Sequence, residues 1–402
     1  MVLSAWCCSC GDRVKPQINN IKPRTKNQEP RKKHFHFYKF QLISDTTNIL
    51  VFSLGRHGSV ITYATEILQH LPDDARWSVW TSSYCAEKQP SVGRKMMPTY
   101  GSLVGFVLAT FFRLPVLLWK VFWAHRAEKY TAFYFPYSHA WDYFLVLLAR
   151  FLGIETVVTV HDGVMHAGEV DKVQQFLIKR TIKGADKLIF LTHFVENLVK
   201  ERFAVQQTPS FVIPHGLLSP DDLKSEVRTL SVRPKLLFLG RIGQYKGMEL
   251  LVEAVQKLDS SLYDKLTIAG KLLYTPSISM EDTDKVFWQT GWLEETTVSE
   301  LINTHDILIL PYVEATQSGV IALGISACLP MIVSDVGGLR EQFYSDYPLL
   351  ISPDKQQLSM AIESLLQSPD LYKKISTDLH EWRNSLQWEQ IAKQVLDVIT
   401  KS

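Results

Sequence analysis

Residues 306–341, DILILPYVEATQSGVIALGISACLPMIVSDVGGLRE, decide the fold class. The apolar run 307–310 is short and halts at Pro311, the reading of a buried parallel strand ended by a residue that cannot extend the ladder. Thr316, Gln317, Ser318 and Gly319 come next, small and polar, directly before a helix-competent run over 320–327. That order puts backbone N–H groups and hydroxyls at a helix N-terminus, where a phosphate or a sugar hydroxyl can be held. After Pro330 a second buried strand, 331–334, runs into Gly337 and Gly338 and then Glu341. Strand, loop, helix, strand, loop is the unit of an α/β sheet, whose ligands collect at the carboxyl ends of the strands.

Outward from this stretch the same unit recurs. Upstream, 235–239 reads as a strand, GRIGQYKG at 240–247 as its loop, and 248–258 as a helix; 266–269 and 286–290 are further strands, each followed by glycine. Helices fill the chain from Lys355 onward. An earlier half opens at Asn48 with NILVFSLGRHGSVITYATEIL, a strand to Phe52, a loop with Gly55, Arg56, His57 and Gly58, and a helix with Ile61, Ala64, Ile67 and Leu68 at helical spacing. The glycines let backbone approach a ligand, although the spacing is not GxGxxG and the loop by itself is a weak signal. Further strands are expected at 132–135, 155–160, 188–191 and 211–213, with a helix over 141–151. The 155–160 strand ends at His161, Asp162 and Gly163, a pair of polar groups that either faces a ligand or caps its own loop. Residues 220–234 are polar and aperiodic. They divide an N-terminal Rossmann-like domain, 48–219, from a C-terminal one, 235–402, as a linker region.

A length of 402 residues exceeds one ordinary core, and 46% hydrophobic with 21% charged residues is the balance of a folded enzyme. The net charge of +2 gives no reason to expect nucleic acid as a partner. Five cysteines, with Cys7, Cys8 and Cys10 crowded together and Cys85 and Cys328 alone, argue against a disulfide framework and for a reducing, cytoplasmic setting. No ligand set at zinc spacing accompanies the CCSC cluster, and no metal is expected. Residues 1–47 read as a basic, disordered extension with RKKHFHFYKF at 31–40, either a solvated tail or a segment lying against an anionic membrane. The stretch 103–123, LVGFVLATFFRLPVLLWKVFW, is nearly long enough to cross a bilayer. Arg113, Pro115 and Lys120 interrupt it and Pro115 would break a smooth span, so a face that dips into the membrane, or a buried core helix or helix pair, is expected in place of a span.

FLGRIGQYKG at 238–247, DILILPYVEATQSGVIALG at 306–324 and PMIVSDVGGLRE at 330–341, with VHDG at 160–163, resemble in order and spacing a retaining glycosyltransferase of the large family four, of the GT-B fold. The resemblance covers residue 48 to the C-terminus. It implies two Rossmann-like α/β/α domains facing across a cleft, with a nucleotide-sugar donor on the second and an acceptor on the first. It also implies Arg241 and Lys246 on the donor diphosphate, Gly240 for close backbone approach, and His161 with Asp162 near the reacting centre. Gly55, Arg56, His57 and Gly58 would line the acceptor side, no cofactor or metal would be needed, and the last helix, from Trp388, would cross back to the first domain. Where many members carry two glutamates eight positions apart, this chain has Leu323 at the second; a TQSG subset is resembled instead, with Thr316, Gln317, Ser318 and Gly319, and Glu341 beyond them, on the donor. The implied reaction is hexosyl transfer from a UDP- or GDP-sugar to an acceptor hydroxyl with retention, the acceptor being a lipid-linked saccharide and the enzyme peripheral on the inner membrane face. Leu323 also leaves room for a partner subunit of this fold without turnover; a nucleotide-sugar epimerase is disfavoured by the Arg241, Lys246 and TQSG combination.

Overall fold

The computed structural model describes residues 47–55, 59–73, 75–84, 94–100, 102–162 and 172–401. Expectations for the N-terminal extension and its cysteines, for Arg56, His57 and Gly58, for Cys85 and for Gly163 lie outside those residues.

Two Rossmann-like domains follow one another. In the first, β1 (Asn48–Ser53), β2 (Arg76–Ser82), β3 (Arg94–Met97), β4 (Ala132–Phe135), β5 (Glu155–Val160), β6 (Lys187–Phe190) and β7 (Ser210–Val212) form a sheet in the order β3-β2-β1-β4-β5-β6-β7. In the second, β8 (Lys235–Leu239), β9 (Lys265–Gly270), β10 (Val286–Thr290), β11 (Ile307–Leu310), β12 (Met331–Ser334) and β13 (Leu350–Ile351) take the order β10-β9-β8-β11-β12-β13. Described strand pairs are parallel throughout, with Leu50 opposite Phe133 and Leu237 opposite Leu308 at the two sheet centres. Both sheets reverse their winding beside their first strand, between β1 and β4 and between β8 and β11. Doubly wound sheets open a crevice at such a reversal.

Central strands buried on both faces need apolar side chains at every position, which is why LLFL in β8 and ILIL in β11 read as continuous runs. On one face of the first sheet pack α2 (Leu103–Glu128), α3 (Asp142–Leu152), α4 (Lys172–Gly184) and α5 (His193–Phe203). On its other face lie α1 (Ser59–Gln69) and, from the far end of the chain, α11 (Trp388–Thr400). The second sheet is covered by α6 (Met248–Val255), α7 (Glu295–Thr304), α8 (Gly319–Ser326), α9 (Lys355–Leu366) and α10 (Pro369–Trp382).

Trp388 ties the chain crossings together. Its indole N–H donates to the Leu217 carbonyl at 2.7 Å, and a side chain on Gly216 would overlap its ring. The segment between the domains is pinned to the second one: Arg228 donates through Nε to the Ala327 carbonyl and through Nη1 to those of Ile302 and His305. These carbonyls belong to the ends of α7 and α8, whose last acceptors lack partners within their own helices.

One expectation is corrected. Pro115 does not split 103–123 into a helix pair; α2 runs unbroken for 26 residues with Pro115 inside it. Proline removes one helical hydrogen bond, but Pro115 sits on the exposed side, while Leu114 and Leu117 beside it are locked into the core. Ser102 caps the helix start, its hydroxyl accepting from the Gly105 N–H.

Candidate active site

The winding reversal of the second sheet brings the β8 loop against the end of β11. Gly247, at φ +65°, permits this: a Cβ there would overlap the Pro311 carbonyl oxygen, so the loop closes only over glycine. Gly240, at φ +118°, turns the chain out of β8. Between them Lys246 is buried, and its ammonium donates to the Tyr312 hydroxyl at 2.9 Å. Tyr312 in turn lies 3.3 Å from the Ser318 hydroxyl. Among the described residues no carboxylate pairs with this buried ammonium, and taking a cation out of water without a counter-charge is costly. Arg241, on the same loop, is exposed.

Ser318 stands at the N-cap of α8 without capping it through its side chain. Gln342 grips its backbone on both sides, Oε1 accepting from the Ser318 N–H at 2.7 Å and Nε2 donating to its carbonyl at 3.1 Å. The Gly337–Gly338 turn is wedged beneath: a Cβ on Gly337 would overlap the Ala315 carbonyl, and one on Gly338 the Thr316 carbonyl. Backbone N–H groups, hydroxyls and one buried cation thus meet at one helix start. That combination binds phosphate.

Two contacts cross from here to the first domain. The Thr316 hydroxyl donates to the Asp162 carboxylate at 2.6 Å. Glu341 accepts from the His193 N–H at 2.6 Å and the Phe194 N–H at 2.8 Å, its charge seated on the positive end of α5. Beside them Thr192, Pro214, His215, Gln317, Glu341 and Gln342 line a cavity of about 20 Å³, room for roughly one water. The Gln317 side-chain oxygen is buried there without a hydrogen-bond partner among the described residues.

In the first domain, the winding reversal of the sheet joins Gly55 to the loop after β4. The Gly55 N–H donates to the Tyr137 hydroxyl at 2.8 Å, which also lies 2.9 Å from the Ser53 hydroxyl. The next carbonyl back, that of Pro136, is 2.9 Å from His161 Nε2. A carbonyl only accepts, so Nε2 carries the proton and Nδ1 keeps its lone pair. Burial holds the His161 imidazole down to about pKa 4, and the ring is neutral at pH 7. Tyr63 packs edge-on to it at 4.6 Å, and His215, also held down to about 4 by burial, lies 6.4 Å away.

Most residues singled out in the sequence therefore gather in two groups. Lys246, Ser318 and Gly240 form one, bridged through Thr316 to Asp162; His161 and Gly55 share the β4 loop of the other. Glu341 sits at the junction. Leu323 packs against the apolar core of its domain. Sequence reasoning missed Tyr312, Tyr137, His215 and Gln342. Tyr312 and His215 each follow a strand end by a residue or a few, the position where such sheets carry ligand contacts, and that signal could have found them.

Comparison with known proteins bears on this geometry. Residues 60–217 match the family model described as Glycosyltransferase Family 4, and residues 233–368 the one described as Glycosyl transferases group 1. Among curated proteins, the alpha-maltose-1-phosphate synthase of Mycolicibacterium smegmatis is 24% identical over 66% of this chain and 78% of its own length. The alpha-D-kanosaminyltransferase of Streptomyces kanamyceticus is 21% identical over 63% and 69%. Among solved structures, Anabaena HepE in complex with UDP superposes with a TM-score of 0.66 at 13% identity, over 88% of this chain and all of that one. The catalytic domain of starch synthase IV from Arabidopsis thaliana, bound to ADP and acarbose, gives 0.66 at 11%, over 88% and 99%. At such identities the structures speak for the fold.

Proposed function

The chain belongs to the group 1 glycosyltransferases of family four, and from that premise we propose that it moves a hexosyl group from a UDP- or GDP-sugar to a hydroxyl of a lipid-linked saccharide, with retention of anomeric configuration. The observation that carries this reading is Lys246: a buried ammonium with a hydroxyl partner, set at a winding reversal beside the N-terminus of α8. A diphosphate leaving group supplies the missing counter-charge, and its charge grows as the glycosidic bond breaks, so the interaction strengthens toward the transition state. Arg241 offers a second cation from the same loop, and no metal is called for. UDP in HepE and ADP in starch synthase IV, both of this fold, support a nucleotide-linked donor.

Retention without a nucleophilic side chain is attributed to front-face substitution, the departing phosphate taking the acceptor proton as the new bond forms. His161, neutral and with Nδ1 unprotonated, accepts a hydrogen bond from a sugar hydroxyl in this scheme and needs no charge change. In this reading the enzyme works at the cytoplasmic face of a membrane, in polysaccharide or glycoconjugate synthesis. A second reading, a partner subunit without turnover, is favoured by the apolar packing of Leu323.

Incubation with UDP-, GDP- and ADP-sugars, following nucleotide release and the anomeric proton of the product by NMR, separates the two. The expected result is release from one donor class with the donor's anomeric configuration kept in the product. Inversion in the product contradicts the front-face scheme, and donor binding without any release favours the partner subunit.

A further inference from the structure

We infer that the outer face of α2, with the basic edge of α4, is a docking surface for an anionic lipid bilayer, and that α2 lies in the bilayer plane. Helix α2 is long and apolar enough to cross a membrane by length and composition. Its architecture forbids that placement: Phe106, Ala109, Leu114, Leu117 and Val121 form one stripe locked under the first sheet, and a span would tear them from the core. The opposite stripe is the unusual one. Val104, Leu108, Phe112, Val116, Trp119 and Trp123 recur at three- and four-residue intervals and face outward with Phe111 beside them, Phe111 75% and Trp119 63% exposed. They extend over about 30 Å. Phe151 on α3, the helix packed beside α2, is 79% exposed as well. Scattered apolar side chains on a surface are ordinary, but a continuous aromatic stripe marks a contact.

Charge identifies the occupant. Along α2 the cations Arg113, Lys120 and Arg126 meet a single carboxylate, Glu128, at the last position. Helix α4, packed on α3, carries Lys172, Lys179, Arg180 and Lys183 and no carboxylate. An apolar stripe rich in Trp and Phe, flanked by lysine and arginine, is the composition of a helix seated at the boundary of acyl chains and anionic headgroups. A second copy of the chain would set these cations against their own kind across a twofold axis, which disfavours it.

The placement also bears on the acceptor. Helix α2 begins at the carboxyl edge of the first sheet, just after β3, where Tyr100 packs against Phe106 and Trp141. The outward stripe therefore starts at the edge where the Gly55 loop and His161 lie. This deepens the lipid-linked acceptor reading and rests on it for its purpose, yet binding to a bilayer is measured with neither donor nor acceptor.

The test is sedimentation of the full chain with vesicles of phosphatidylcholine alone and of phosphatidylcholine with 30% phosphatidylglycerol, at low and high salt, alongside its oligomeric state. The wild-type chain is expected to sediment with the anionic vesicles, less so at high salt, with blue-shifted tryptophan fluorescence. Phe111→Ser with Trp119→Ser should weaken binding at least about tenfold with an unchanged melting temperature, and Lys179→Glu with Arg180→Glu should weaken binding to anionic vesicles. Absence of vesicle binding, binding that both double variants leave intact, or a dimer that the Phe111→Ser, Trp119→Ser variant dissolves would each overturn the inference. Failure here with donor turnover intact would remove the membrane surface and leave the transferase reading standing.

Discussion

Buried ionisable side chains carry the account at the scale of single residues. His161 and His305 are both buried and both held down to about pKa 4, chiefly by desolvation of the charged form. Hydrogen bonds to carbonyls, His161 to that of Pro136 and His305 to that of Leu301, favour the charged ring and only partly offset the burial. In the unfolded chain the same rings take up protons near pH 6.5. Between pH 6.5 and 4 the unfolded state therefore binds more protons than the folded one, and stability falls as pH falls, by up to about 3 kcal/mol per ring. Thermal melts from pH 7.5 to 4.5 should show a midpoint that is flat above pH 6.5 and declines below it; a midpoint that rises on acidification contradicts this assignment of burial. Residue identity alone gave the chemistry of Lys246 and His161 but not their burial. Nothing in GRIGQYKG tells that Lys246 turns inward to Tyr312, because that contact spans 66 residues and depends on where β11 ends.

Legibility changes at the scale of elements. The central strands were readable because burial on both faces demands uninterrupted apolar runs. Strand β2 and the edge strands β3 and β13 were not: β3 is RKMM, with little apolar content, and β13 has two residues, both held by pairing with a neighbour already in place. Helix α2 defeated the expectation of a break because a proline on an outer face removes a hydrogen bond that water can replace, whereas the inner stripe holds the helix to the sheet. Glycines in the site loops obey a stricter rule. Gly247 combines φ +65° with backbone pressed against its missing side chain, so Gly247→Ala should cost at least about 2 kcal/mol in a denaturant titration. A loss below about 0.5 kcal/mol would mean the β8 loop is not held against β11. The Leu323 position was visible in the sequence as a departure from the resembled pattern. Its consequence, a helix face packed with aliphatic side chains, needed the structure.

At the scale of the whole molecule, the described residues form two like-wound sheets of seven and six strands, and residues of the candidate donor site make contacts that bridge them. Thr316 on Asp162 and Glu341 on the start of α5 leave a cavity of about 20 Å³ beside them. The fold and the cleft were expected from order and spacing of motifs; which residues latch the cleft was not, since such contacts join segments about 150 residues apart. The central claim is that Lys246 neutralises a leaving diphosphate. It is tested most directly by measuring donor turnover and donor affinity side by side for the wild-type chain and Lys246→Ala, with the donor sugar that the wild type releases. The account expects kcat to fall about 100- to 1,000-fold, far more than affinity changes, with the melting temperature preserved. Turnover within a factor of two of wild type would contradict it.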